Sequence, residues 1–500
     1  MRRATRLAIG LSILALAVRF IGITQPFIDN WSWRQSDVAA IARNFAQGGF
    51  DFFHPRIDWA GNAAGYVGTE FPLLPFAVAI AYNLVGERAW LGRVETILFF
   101  AISLPFFFLL VRDLFGEVAA VWSLFFYSFA PLSLFASREF MPDIPSLSLA
   151  IAALYCFRRA LAIRDSRIRS GDAALGERAG AARWYWLSAV SASLSILLKL
   201  PNVVVAAPLA IVAGIGDPAD RHQRCRLKLL IFAIVAFLPT ILWYVHAWQI
   251  AQQFYPHHYF GAGGIRVMSI NWYWRIFLQL ATASLTPLLF VLGLTGVVLA
   301  MRDVNARTLH AWLVATLLFV VVAGYGSRHQ WYQLPLVPIA AAFAGLTCTR
   351  AATHIPGSVA KRTLSILLVL AFAGLTWFYV QSLHHSSGAY LRRTGLAVRE
   401  QTGKTALIVA ADDGDPTLLY YAQRKGWHFP EQDGIYAGNP GSGQQLIVDL
   451  VQLRGRGATH LALTVSTLWW LDAFPDFAEY LDTTAALVQR SADCALYDLK

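Results

Sequence analysis

The sequence predicts an all-α polytopic membrane protein of about eleven transmembrane helices, with a small α/β domain outside the membrane at its C-terminus. Three observations carry that reading. Of the 500 residues, 57% are hydrophobic and 14% charged, with a mean hydropathy of +0.49, where soluble domains run near about 25% charged. Apolar stretches of membrane-spanning length, about 20 residues, recur along most of the chain. After residue 383 the composition changes to alternating strand-like and helix-like segments. The formal charge of +11 does not indicate nucleic acid, because the basic residues are dispersed between apolar segments instead of gathered on one polar domain.

The first apolar run, 7–25, follows Arg2, Arg3 and Arg6 and starts like a signal peptide. It is long, and no small-residue cleavage site follows, so it is expected to remain as the first span. Further spans are expected near 93–111, 118–137, 143–160, 184–198, 202–216, 228–248, 276–300, 309–325, 332–349 and 364–382. The stretch Phe71–Val85, containing Pro72, Pro75 and Asn83, is short enough to read as a juxtamembrane or re-entrant helix. With the N-terminus cytoplasmic and that helix not crossing, the inside segments hold 20 Lys and Arg and the outside loops that precede the C-terminal tail hold 8. Letting it cross would place the basic 158–183 loop outside, against the positive-inside rule. The outside segments are then the 26–92 loop, the turns 138–143 and 199–202, the aromatic 249–274 loop, the 327–331 turn and everything after about 384.

The expected division is therefore a membrane domain, 1–383, and an outer α/β domain, 384–500. In the latter, Thr405–Ala411 and Thr459–Val465 read as strands and Thr417–Lys425 as a helix. Asp412, Asp413 and Asp415 resemble a calcium loop but lack the later Glu, and Asp, Gly and Pro cluster in ordinary turns. Four cysteines (Cys156, Cys225, Cys348, Cys494) are scattered with no paired spacing, which implies neither a disulfide framework nor a zinc site.

Chemistry is expected in the first outer loop, where Asp29, Asp37, Asp51, Asp58 and Glu70 stand beside a membrane span. Carboxylates at a membrane are costly unless solvated or paired. In Trp31–Phe45 a helix is expected to open at Ser36 or Asp37 and to close at Gly48-Gly49, making Asp37 either a helix-start charge or a general base. Glu70, before the short apolar helix, and Asp143, at the mouth of a span, carry the same two readings. Lys199, Arg266 and Arg328-His329 are outward cations able to partner a phosphate leaving group or to snorkel at the interface. His257-His258 are adjacent and do not converge on one ion in a helix or strand. No metal ligand set is identified.

Several segments together carry a family resemblance: Trp33-Arg34-Gln35-Ser36-Asp37 with Ile41-Ala42-Arg43-Asn44-Phe45; Pro55-Arg56-Ile57-Asp58-Trp59; Glu70-Phe71-Pro72; Gly92-Arg93; Met141-Pro142-Asp143; Lys199-Leu200-Pro201; and Trp331-Tyr332-Gln333-Leu334-Pro335. Over residues 5–350 the chain resembles the membrane glycosyltransferases of the protein mannosyltransferase and aminoarabinose transferase group, the family 39 type of the C superfold. The Leu419–Trp427 segment resembles the outer domain of bacterial members less specifically. The resemblance implies an inverting transfer of one hexosyl or pentosyl unit from a polyprenyl-phosphate carrier to a glycan, lipid or protein acceptor. It places the reaction at the periplasmic face of a bacterial inner membrane, among membrane lipids and with no nucleic-acid partner.

By the same resemblance Asp37 or Asp29 is the general base, Glu70 orients donor or acceptor, and Asp143 is the second-loop acidic residue. Lys199, Arg266, Arg328, His329 and Arg34 would hold the donor phosphate, and Trp33, Asp58, Tyr66 and Tyr332 the acceptor or sugar. No organic cofactor is implied, and assistance by a divalent cation is left open. Two departures stand out: Arg34-Gln35 occupies the place of the group's common Asp-Glu pair, and Phe71 that of a Lys found in some members. A transporter or flippase of lipid-linked glycans is the alternative from another class, expected to show repeat symmetry and midplane charges. A polymerase or ligase is a third, expected to carry outer arginine clusters.

Overall fold

The computed structural model describes residues 3–170, 175–214, 226–260 and 265–499. Cys225 and the Gly261–Gly264 cluster lie outside the described residues. The chain forms two compact units, one of Met1–Ile23, Arg93–Trp243 and Ala262–Ser382, the other of Thr24–Gly92, Tyr244–Gly261 and Leu383–Lys500.

The first unit is helical. Among the described residues, six helices are long and apolar enough to cross a membrane: Ala89–Phe115, Asp143–Arg164, Leu227–Gln253, Val304–Val322, Gln330–His354 and Ser358–Leu383. A seventh arises if Ile270–Ser284 and Pro287–Leu299, bent by 107°, count as one span. The expected eleven are therefore not matched one for one, and prolines account for part of the difference. The stretch 118–137 is divided into helices Glu117–Phe129 and Pro131–Ala136 because Pro131 has no N–H with which to continue the first. At the 202–216 stretch, the 3-10 turn Leu200–Val205, which contains Pro201, precedes the eight-residue helix Ala206–Ala213.

Close helix approaches use glycine, as expected where lipid-facing helices pack by van der Waals contact alone. A Cβ on Gly345 would stand 2.4 Å from the Ala119 carbonyl, and one on Gly296 would stand 2.1 Å from that of Phe343. The 138–143 turn is anchored by charge. Arg138 donates to the carbonyls of Ile21 (2.7 Å) and Gly22 (2.9 Å), while buried Arg93 pairs with buried Glu139 at 2.9 Å.

The second unit is built on a five-stranded sheet: β1 (Leu407–Ala411), β2 (Lys425–His428), β5 (His460–Thr464), β6 (Ala486–Arg490) and β7 (Cys494–Asp498), in the order β2-β1-β5-β7-β6. A separate pair, β3 (Glu431–Gln432) with β4 (Ile435–Tyr436), completes the strands. β1 is parallel to β2 and β5, and β7 is antiparallel to β5 and β6. Alternation along the strands sends Ile408, Ala410, Ala462 and Leu496 to one core. Val409, Ala411, Leu461, Leu463, Ala495 and Tyr497 enter the other. Burial on both faces explains why β1 and β5 read as continuous apolar runs.

The first core is completed by Ile41, Phe45, Ile57, Trp59 and Val67 of the first loop, a partition the composition did not suggest. The loop also pairs with edge strand β2: the N–H of Gly61 donates to the Gly426 carbonyl (2.6 Å) and that of Gly426 to the Asp58 carbonyl (3.0 Å). This contact requires glycine at 61, whose φ is +59° and whose Cβ would fall 1.9 Å from the Trp427 ring. Gly61→Val is accordingly expected to free the loop from the sheet, read as faster limited proteolysis of the 50–70 region.

Two local expectations are corrected. The helix expected over Thr417–Lys425 ends at Ala422, because Gln423 is left-handed at φ 51° and Lys425 opens β2. Strands β2, β6 and β7 carried no distinct signal. The helix expected to open at Ser36 or Asp37 spans Ser32–Gln47, so Asp37 lies in its second turn and is no cap. Of the cysteines, Cys156, Cys348 and Cys494 are free thiols and buried.

Candidate active site

In the second unit, helix Ser32–Gln47 turns Arg34 and Asp37 to one face, three residues apart, with Arg34 Nη1 3.4 Å from Asp37 Oδ2. The other end of the guanidinium, Nη2, donates to Glu70 Oε2 at 2.5 Å, a bond supported by the Thr69 hydroxyl at 3.2 Å. The Arg34 guanidinium also lies 4.5 Å above the Phe260 ring. On the opposite side, Trp59 Nε1–H donates to Asp37 Oδ1 at 3.2 Å. One arginine thus serves two carboxylates.

Burial pushes the Asp37 carboxyl up to about 6. Arg34, the Trp59 hydrogen bond and His428 act against that rise, and Glu70 adds to it. A carboxylate tuned toward neutrality, bonded on both oxygens and still ionised at pH 7, has the properties of a general base. The Trp59 ring meets the rings of His258 (5.3 Å) and His428 (5.2 Å). Burial and Arg34 lower His258 to about 4, so it is neutral at pH 7.

Asp29 does different work. Its Oδ1 accepts from the Trp31 N–H (3.1 Å) and the Gln35 amide (2.8 Å), tying down the start of the helix. Asp58 is held by Arg43 and by the Asn44 amide at 2.9 Å, and Arg43 reaches on to the Tyr420 carbonyl at 2.8 Å. This makes Asp58 a fastener between loop and sheet. Tyr66 lies among His54, Arg56 and Phe254, and Trp33 is half-buried on the helix.

The first unit holds a second cluster. Asp143 opens helix Asp143–Ser170, and Lys199 stands extended (φ −152°, ψ 103°) at the break before the turn containing Pro201. Their side chains, both buried, are 3.5 Å apart. Lys199 Nζ is also 5.6 Å from the Tyr332 ring and 6.0 Å from that of Trp331. Asp143, Lys199, Asn202, Trp331 and Tyr332 line one narrow cavity. His329 stacks on Trp331 at 4.3 Å. Arg328 is exposed and lies 3.9 Å over the Tyr325 ring, and Arg266 is exposed.

Of the residues expected from sequence, Arg34, Asp37 and Glu70 come together in one unit and Asp143, Lys199, Tyr332 and His329 in the other, whereas Asp29, Trp33, Asp58, Tyr66, Arg266 and Arg328 join neither group. Trp59, Trp331 and His428, which contact these groups, were not singled out from the sequence, and His258 was weighed there only as a metal ligand. Trp59 and Trp331 lay within segments that carried the resemblance, whereas His428 had no local signal. Among the described residues, no group of three or more His, Cys, Asp or Glu is arranged to hold a metal ion.

This fold is shared with solved structures of glycosyltransferases. The aminoarabinose transferase ArnT of Cupriavidus metallidurans superposes at a TM-score of 0.69 in its apo state, with 16% identity, covering 100% of this chain and 99% of that one. Its undecaprenyl-phosphate-bound form gives 0.64 and 16%, covering 98% of each chain. The Archaeoglobus fulgidus oligosaccharyltransferase gives 0.63 at 14% identity, covering 93% of this chain and 70% of that one. Residues 69–243 match the family model described as dolichyl-phosphate-mannose-protein mannosyltransferase, which agrees with the group named from the sequence segments. No curated protein matches the sequence.

Proposed function

We propose that the protein transfers a single sugar from a polyprenyl-phosphate carrier to an acceptor at the outer face of the membrane, inverting the anomeric centre. The observation that carries this reading is Asp37, a buried carboxylate raised to about 6 and gripped by Arg34 and Trp59, in a chain with the glycosyltransferase fold. In the step, Asp37 takes the proton of the acceptor O–H or N–H and the freed lone pair attacks the anomeric carbon. The bond from that carbon to the phosphate oxygen breaks, leaving polyprenyl phosphate. A phosphate is already a stabilised leaving group, so the protein needs only to position the reactants, accept the proton and neutralise the phosphate. Glu70 acts through Arg34 and orients the base or acceptor. Lys199 neutralises the phosphate, with Trp331 and Tyr332 packed beside its ammonium. Bacterial members of the resembling group place this chemistry at the periplasmic face of the inner membrane, and the excess of basic residues inside supports that orientation.

The test is release of undecaprenyl phosphate, followed by mass spectrometry, when purified protein meets a panel of undecaprenyl-phosphate-linked hexoses and pentoses with envelope extract as acceptor. Release from at least one donor, dependent on extract, is expected. No release from any donor overturns the reading. Lys199→Met is expected to weaken binding of undecaprenyl phosphate about tenfold or more, the value of one charge-assisted contact, measured by direct titration.

A further inference from the structure

We propose that the Asp412–His428 pair of the C-terminal sheet is a positioning element for Asp37, acting through Trp59 to hold the carboxylate in place and in its ionised form. The proposal rests on the reading of Asp37 as the base.

The sheet register brings the pair together. β1 and β2 are parallel with Ala410 opposite His428, and Asp412 follows β1 by one residue. Its carboxylate therefore arrives beside the ring, where His428 Nδ1–H donates to Asp412 Oδ1 at 2.8 Å. Both groups are buried, His428 at 5% exposure and Asp412 at 0%. A carboxylate on one ring nitrogen fixes the orientation of an imidazole, and here the ring lies against Trp59. Trp59 sits between Asp58 and Gly61, whose backbone bonds to Gly426 of β2 lock it against His428. Its Nε1–H then reaches Asp37. A second tie runs alongside: Thr417 donates its hydroxyl to Ser36 Oγ at 3.1 Å, and Asp415 accepts from the Thr417 N–H at 2.9 Å. Positions 36 and 37 of the helix are thus both tied to the tail.

The charges around Asp37 come from several elements. Arg34 is on its own helix, Glu70 is held through Arg34, and His258 is neutral at pH 7. From the tail come His428, Asp412 and Asp415. Burial works against the His428 proton, but Asp412, Asp415 and Asp37 outweigh it and raise the group above its ordinary value. Burial raises Asp412, and it lifts Asp415 to about 7. Arg34 and His428 are the cations of this set, so loss of the His428 charge makes Asp37 harder to ionise.

The test uses full-length protein in detergent, with His428→Gln, and His428→Asn as a second variant should the first fail to fold. The ionisation midpoint of Asp37 is read by infrared pH titration of its carboxyl band, assigned by the loss of that band in Asp37→Asn. In the folded His428 variants the midpoint is expected to rise by about one pH unit, as for removal of a nearby opposite charge. Release of undecaprenyl phosphate at pH 5 is then expected to fall about tenfold, with less than about twofold change at pH 8.5. A merely structural loss would lower both rates together. An unchanged midpoint in a folded variant overturns the proposal. The infrared reading needs no turnover, so retained transfer by Asp37→Asn would sink the base assignment while the midpoint still decides whether His428 is coupled to Asp37.

Discussion

Asp37→Asn is expected to lower sugar transfer by about 100- to 10,000-fold, the range for loss of a positioned general base, while leaving the protein folded. Asn is isosteric and can still accept from the Trp59 indole, so the packing around it is retained. The wild-type rate is expected to be level above pH 7 and to fall as pH drops through about 6, because burial sets the Asp37 carboxyl there and only the ionised form takes a proton. Initial rates of undecaprenyl phosphate release across pH 4.5 to 8.5, a range chosen to bracket that midpoint, check both statements. Asp29→Asn is expected to cost much less, because Asn keeps an acceptor for the Trp31 N–H and the Gln35 amide, the contacts that engage Asp29 Oδ1.

Arg34→Met is expected to have the largest effect on stability. Arg34 is 4% exposed and holds two carboxylates, Asp37 and Glu70. Its removal leaves the buried Asp37 and the partly buried Glu70 without their guanidinium, and breaking a buried pair from one side costs about 3–5 kcal/mol. Thermal unfolding should show this as a drop of several degrees. Arg34→Met should also raise the Asp37 midpoint, since Arg34 is the strongest influence opposing its burial. Adding Glu70→Gln to Arg34→Met should recover part of the lost stability, because one of the two carboxylate charges that faced Arg34 is then gone. The double-mutant cycle measures how far the three groups act together.

How much of this was legible in the sequence depends on the range of the interactions. The polytopic helical fold and the α/β tail follow from hydropathy and composition, which are local properties of the chain. Arg34, Asp37 and Glu70 could be singled out because charged residues are rare in this chain and their segments carry a family pattern. That Arg34 joins the two carboxylates could not be read, since Glu70 is 36 residues away and only the folded loop brings it there. The role of Asp29 at the helix start was obscured by placing that start too late, where Ser36-Asp37 imitates a cap. His428 was invisible for the strongest reason: its partners Asp412 and Trp59 meet it only through the register of β1 with β2 and the docking of Gly61 on the sheet edge. The span count is not confirmed where Pro131 and Pro287 interrupt apolar stretches whose average hydropathy is unaffected by them.

The measurement that bears most directly on the central claim is mass analysis of envelope glycans and glycolipids from a deletion strain carrying no copy, the wild-type gene or the Asp37→Asn variant. Deletion is expected to remove a mass increment of one sugar residue from an envelope component. The wild-type gene is expected to restore it, and the folded Asp37→Asn protein is not. Identical profiles in the deletion and parent strains, or full restoration by Asp37→Asn, would contradict it.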